Sequence, residues 1–178
     1  MKIKDLPEGK IKLNDETYQN YKIDKDQKHI AKVRKEYIVV NTEFLEKENN
    51  QQKTIIYHER QHLRWFNRRL LNFSRIIYCF LYFLAIILLF SILFLFIPII
   101  KTNLMDTFYL SIITIFLSAV FILINYLNEI ICDFNAVKNM GIKNYNETVI
   151  DYYKKKKNND FIYHPHWKWR KRIMESLD

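Results

Sequence analysis

The chain has little cysteine: two residues in 178, Cys79 and Cys132. Cys79 falls within a long apolar run and Cys132 just beyond another. A structural disulfide is not expected in a chain whose polar parts face the cytoplasm. A signal peptide is not visible either, because the opening MKIKDLPEGKIKLNDETY lacks an apolar core. No internal repeat runs through the chain. The most informative absence is of charge. Residues 76–100 read IIYCFLYFLAIILLFSILFLFIPII, 25 positions without a charged residue. Residues 107–128, TFYLSIITIFLSAVFILINYLN, are 22 more. A bilayer core of ~30 Å takes about 20 helical residues, so each run is long enough to span.

Elsewhere charge is plentiful and unbalanced, with 28 Lys and Arg against 19 Asp and Glu, a formal net charge of +9. Such an excess points to nucleic acid or to an anionic surface. The two spans decide for the membrane, and contact with anionic lipid accounts for the charge without nucleic acid. Residues 101–106 (KTNLMD) form a short linker, so the spans make a tight hairpin. Arg64, Arg68, Arg69 and Arg75 precede the first span, and Lys138, Lys143 and Lys154 to Lys157 follow the second. Lys and Arg concentrate on the cytoplasmic side. The expectation is a multi-pass protein of the cell membrane with both termini and the polar parts cytoplasmic.

The length leaves room for one domain, or a small domain interrupted by something else. Residues 1–36 read as a loosely structured start, with a short strand near 10–13. The alternation of 28–35 and the apolar 36–40 (EYIVV) read as strands. Asn41 or Thr42 caps a short helix carrying Phe44 and Leu45. Residues 48–53 (ENNQQK) read as a loop. Helical spacing begins at Thr54 and continues toward the first span. Beyond the second span, residues 129–140 continue as helix, with Gly141 as its stop. Residues 145–155 are a further helix, and the tail ends in a short one.

The chemistry centres on Tyr57-His58-Glu59-Arg60-Gln61-His62. His58 and His62 are four apart on a helix, so their imidazoles share a face and are placed to hold one Zn²⁺ per chain. Glu59 stands one step round, where it can take a proton from a zinc-activated water and later protonate a leaving amine. A hydrolytic site needs a third protein ligand and an open position. The candidate is Glu129, the first charge after the second span. Asp133 lies one turn further along the same face, placed to accept from a liganding histidine's free ring nitrogen.

This ordered set resembles the membrane gluzincin metallopeptidases of the HtpX and CAAX prenyl protease type. The chain supplies YIVVNTEFLE, TIIYHERQH, the hairpin, and NEIICDFNAVKNMG, followed by His164-Pro165-His166-Trp167-Lys168-Trp169-Arg170. The resemblance covers about residues 37–66 and 126–173. It implies Glu129 as third ligand, Asp133 as the carboxylate behind the histidines and Ala136 as the small residue that follows. His164 and Arg170 are implied as groups that touch substrate or steady the oxyanion, with Arg172 the alternative to Arg170. Cys132 stands where the family usually has alanine, as a small buried side chain or a further thiol donor. Asn67 is compatible with the polar position after the motif. Trp167 and Trp169 suit a membrane interface. The resemblance also implies that a substrate chain pairs with an exposed strand edge, here 36–40.

The expected fold is α+β and mostly α: a zincin-like metallopeptidase domain with a small sheet, interrupted by a two-helix transmembrane hairpin. Residues 1–75 form its N-terminal half, 76–128 the hairpin, and 129–178 the C-terminal half with the third ligand. The expected function is a membrane-embedded zinc-dependent endopeptidase, acting on membrane proteins or peptides at the cytoplasmic face. Its partners are protein or peptide substrates and lipid. Its rivals are a non-catalytic scaffold keeping a structural zinc, and a signalling protease with one dedicated substrate.

Overall fold

In the computed structural model, residues 3–95, 104–155 and 164–177 are described. The fold is mostly helical, with a small open mixed sheet and two long apolar helices, an arrangement consistent with a membrane-spanning zincin-like protein. Residues 96–103, which hold the expected end of the first span and half of the linker, lie outside the described residues.

The N-terminal segment is more ordered than its polar composition implies. Strands β1 (Glu8–Lys12) and β2 (Tyr18–Ile23) form an antiparallel hairpin, in place of a loose start with one short strand. Ile11 and Leu13 turn inward while the charged neighbours stay wet, which satisfies a strand pattern too short to stand out. The turn is held by Asp15, whose carboxylate accepts from the Thr17 hydroxyl at 2.6 Å. Strands β3 (Ala31–Arg34) and β4 (Tyr37–Val40) complete the sheet in the order β1-β2-β4-β3, with β2 and β4 parallel. Here the structure corrects an expectation. β4 is flanked by β2 and β3, so its edges are used; β3 is the free edge on that side of the sheet.

Asn41 caps α1 (Thr42–Leu45), its side-chain oxygen accepting from Phe44 N. Helix α2 (Asn49–Leu63) begins earlier than expected, taking in most of the segment read as a loop. Gln52 uses its amide to satisfy the carbonyls of Phe44, Leu45 and Lys47, so its polarity serves the junction with α1. Arg64 is extended (φ −64°, ψ 146°) and separates α2 from α3 (Trp65–Leu95). Helix α4 (Leu104–Tyr145) breaks at Gly141, whose φ of 80° and ψ of 157° suit only glycine. A π turn (Asn146–Ile150), α5 (Asp151–Lys155) and α6 (Trp167–Leu177) follow.

One core draws on both sides of the hairpin. Ile38, Val40 and Phe44 pack with Ile56 and Tyr57 of α2, Ala136 and Met140 of α4, and Met174 of α6. Helices α3 and α4 meet through Ile77, Phe121 and Ile124, and the Ser74 hydroxyl donates to Asn125 Oδ1 at 2.9 Å. Their outer faces are apolar and bare: Ile76, Tyr82, Ile115 and Phe116 are each at least 65% exposed. Only 11% and 6% of the most apolar windows of these helices are buried, unlike core helices of a soluble protein. Two membrane-length helices of this kind support a multi-pass membrane protein.

Candidate metal centre

Helix α2 is enclosed on most sides. Thr54 to His58 are all buried, between the sheet and α4. Two hydrogen bonds pin the residue before the motif. Asn135 donates to the Tyr57 carbonyl at 2.7 Å, and the Tyr57 hydroxyl accepts from Asn14 N at 3.0 Å. This holds His58 and His62 toward α4 at the level where its apolar run gives way to Asn128 and Glu129.

There the three expected ligand side chains come together. One donor atom from each of His58, His62 and Glu129 lies within 4.8 Å of the others. His58 Nε2 is 3.7 Å from Glu129 Oε2, and His62 Nε2 is 3.5 Å from Glu129 Oε1. Ligands at ~2.0–2.1 Å around a tetrahedral zinc sit about 3.3 Å from one another. Both carboxylate spacings are close to that value and all three donors lie within 4.8 Å, so they fit around a zinc ion if they draw together. The burial fits as well: Glu129 is 5% exposed, and its Oε2 is 3.2 Å from His164 Nδ1 and 3.6 Å from Arg170 Nη1. A buried carboxylate needs compensating charge, which Arg170 supplies in part and a metal ion shared with His58 and His62 would complete.

Behind the ligands lie two different supports. Asp133 Oδ1 is 3.0 Å from His58 Nδ1, so His58 presents Nε2 forward. Asp133 is fully buried and is gripped by Arg170, with Nε 2.7 Å from Oδ2 and Nη2 on Oδ1. Among the described residues, no carboxylate stands behind His62 Nδ1. That nitrogen is 3.2 Å from the Asn128 amide nitrogen and 3.3 Å from Cys132 Sγ, which in turn accepts from Asn67. If Nε2 binds metal, Nδ1 carries the proton, and Asn128 must turn its oxygen toward it. That oxygen is buried and without a partner in the opposite amide orientation, so the turn satisfies both groups. Cys132 is thus a buried neighbour of His62, outside the donor cluster.

These surroundings pull the histidines apart electrostatically. Burial pushes His58 down, but the hydrogen bond and charge of Asp133, with Glu129 and Glu59, outweigh it and leave the pKa raised. For His62 burial prevails over Glu129 and Glu59, and the pKa is lowered. His62 is therefore the readier to stay neutral, as a ligand must.

A cleft of about 550 Å³ opens over the cluster. Glu59, His164 and Tyr153 line it beside the donors, and β3 borders it. His164 Nδ1 is 3.2 Å from Glu129 Oε2. Arg170 differs from its expected placing. Its guanidinium is fully buried, covered by the Tyr153 ring at 4.2 Å, and does not line the cleft. The bidentate grip on Asp133 holds it behind His58, with Nη1 3.6 Å from Glu129 Oε2. Arg172 is exposed. Trp167 packs against the core and Trp169 is exposed. Sequence reasoning missed Tyr153, Asn128 and Asn135. Asn128 adjoins Glu129 in the chain, a usable signal, whereas nothing local marks Tyr153.

Comparison with protein-family models, curated proteins and solved structures found no match. The class rests on the molecule itself. A buried His/His/Glu cluster suited to a metal ion, next to two apolar membrane-length helices, makes this a zinc-metalloprotease-like arrangement.

Proposed function

We propose that the chain is a membrane-embedded zinc-dependent endopeptidase, a minimal relative of the HtpX and CAAX prenyl protease type. It would cleave membrane proteins or peptides at the cytoplasmic face. The observation that carries this is the convergence of His58, His62 and Glu129, from either side of the hairpin, in one buried cluster with Glu59 in the same cleft. In this reading residues 1–75 and 129–178 are halves of one metallopeptidase domain, and 76–128 is its membrane hairpin. The concentration of Lys and Arg beside the spans supports cytoplasmic termini.

His58, His62 and Glu129 would hold one zinc, which supplies Lewis acidity toward water and a peptide carbonyl. Glu59 takes the proton of the attacking water as it adds to the carbonyl carbon, then delivers it to the leaving amine. His164, steadied through Nδ1 on Glu129, offers its other nitrogen to the oxyanion. Arg170 and Asp133 position His58. The free edge of β3 supports binding of an extended substrate by backbone pairing, which reads main chain before side chains.

The deciding experiment measures bound zinc per chain in detergent and then cleavage. About one zinc is expected in the wild type, lost or strongly weakened in His62→Ala and Glu129→Ala. Glu59→Gln should keep its metal and lose all cleavage. A wild type without zinc after reconstitution removes the reading; zinc without any cleavage points to a structural site on a scaffold.

A further inference from the structure

The far wall of the cleft carries charge that the catalytic cluster does not use. Arg68 and Arg75 of α3, two turns apart on one face, line it opposite Lys32 and Lys35 around the β3 edge. None of these four cations has a carboxylate partner among the described residues. Arg68 donates to the Lys35 carbonyl at 3.5 Å and Arg75 to Asn72 Oδ1 at 3.5 Å, contacts that leave both charges uncompensated. Some basic residues do pair with acids, as in Lys22 with Glu8 and Arg60 with Asp15, but these four are among the many that do not; what sets them apart is that they line one cleft. Beyond the catalytic cluster, Glu36 is the one acid among the described lining residues.

The arginines of α3 divide by face. Arg69 stacks on Trp65 at 3.8 Å, and Trp65 is 65% exposed. An aromatic with a stacked arginine at the start of an apolar helix is the arrangement of a headgroup anchor. Arg68 and Arg75 face the cleft instead. Lipid contact therefore explains Arg69 and leaves the cleft pair without an occupant.

We propose that this cleft selects extended peptide segments bearing acidic side chains next to the scissile bond, through Arg68, Arg75, Lys32 and Lys35. This rests on the protease reading and supplies its substrate class. Backbone pairing along β3 gives affinity without sequence preference, so side-chain selection falls to the charges that flank the strand. The same charges work against the commonest wrong substrate. Cytoplasmic flanks of membrane helices are rich in Lys and Arg, and the cleft repels them, so access is restricted to neutral and acidic segments.

The test uses the full-length zinc-loaded protein in a zwitterionic detergent. Three fluorescent peptides share one backbone and carry Asp and Glu, Asn and Gln, or Lys and Arg near the centre. Binding is read first, on Glu59→Gln, which stops cleavage and keeps Arg68, Arg75, Lys32 and Lys35 in place; because it also removes one anion from the lining, the charge reversals are made in the same background. The acidic peptide should bind about fivefold to tenfold more tightly than the amide peptide. That advantage should shrink as salt is raised. The basic peptide should bind most weakly. Arg68→Glu/Arg75→Glu should reverse the order, while Arg69→Glu should not. Cleavage by the wild type should follow the same ranking in kcat/KM. Equal binding of the three peptides, or a ranking indifferent to the double reversal, overturns the proposal even if all are cleaved. Ranked binding without cleavage upholds the acidic-segment site and removes the protease reading. Vesicles with and without anionic lipid provide the other control. If Arg68→Glu/Arg75→Glu loses lipid binding and keeps the peptide ranking, the cations belong to the membrane and the proposal falls.

Discussion

Replacing Arg170 with methionine should loosen the metal site from behind, chiefly through Asp133 and also through the 3.6 Å contact of its Nη1 with Glu129 Oε2. Arg170 and Asp133 are both fully buried and paired at 2.7 Å. At a charge separation of ~4 Å and an effective dielectric of ~20, their attraction is about 4 kcal/mol. That agrees with the ~3–5 kcal/mol typically lost when one partner of a buried pair is removed. Arg170→Met keeps an apolar stem and deletes the charge. Asp133 is then left as an anion in a closed interior, and it either takes up a proton or admits water. Either change weakens its hold on His58 Nδ1, now 3.0 Å away. The expected result is a stability loss of about 3–5 kcal/mol and a ~10–100-fold fall in zinc affinity. Unfolding in detergent gives the first, and competition with a chromophoric chelator the second. Asp133→Asn should also weaken zinc. The double variant should lose less stability than the sum of the singles, by about 0.5–3 kcal/mol, because no buried charge is left unpaired. Additive losses, or wild-type zinc affinity in Arg170→Met, would refute the idea that Arg170 acts through Asp133 and His58.

Gly141 has φ 80° and ψ 157°, and a Cβ added there meets nothing within 4 Å; Gly141→Ala should therefore cost only backbone strain, about 1–3 kcal/mol, measurable as a lowered unfolding midpoint with zinc stoichiometry retained. Protons compete with zinc for His58, whose pKa lies above its ordinary 6.5. Zinc affinity should fall as pH drops through that raised value, and Asp133→Asn should move the fall to lower pH; metal titrations across pH in both proteins check the shift, and an unmoved midpoint would count against Asp133 as the cause.

Much of this protein was legible without coordinates, for a local reason. The His-Glu pair and His62 depend on helical spacing alone, and a span depends on an uninterrupted apolar run, so both can be read from neighbours in the chain. Glu129 could be named because it is the first charge after such a run. The β1–β2 hairpin was not legible: few of its residues turn inward, so its short alternation is hidden by polar neighbours. The start of α2 was hidden for a related reason, since Gln52 looks like loop chemistry until the carbonyls it satisfies are in view.

The sequence by itself determined the membrane-length helices, the metal motif and the candidate ligands, because these depend on residue type and short-range spacing. Tertiary structure alone decided that β3, not β4, is the free strand edge, because strand order is a matter of which distant segments pair. It decided that Arg170 grips Asp133 and does not meet the cleft, since burial depends on what packs around a side chain. It also decided that Arg68 and Arg75 face the cleft while Arg69 turns outward. Three arginines in eight residues look alike in the chain, and only the packing of α3 beside the cleft gives them different surroundings.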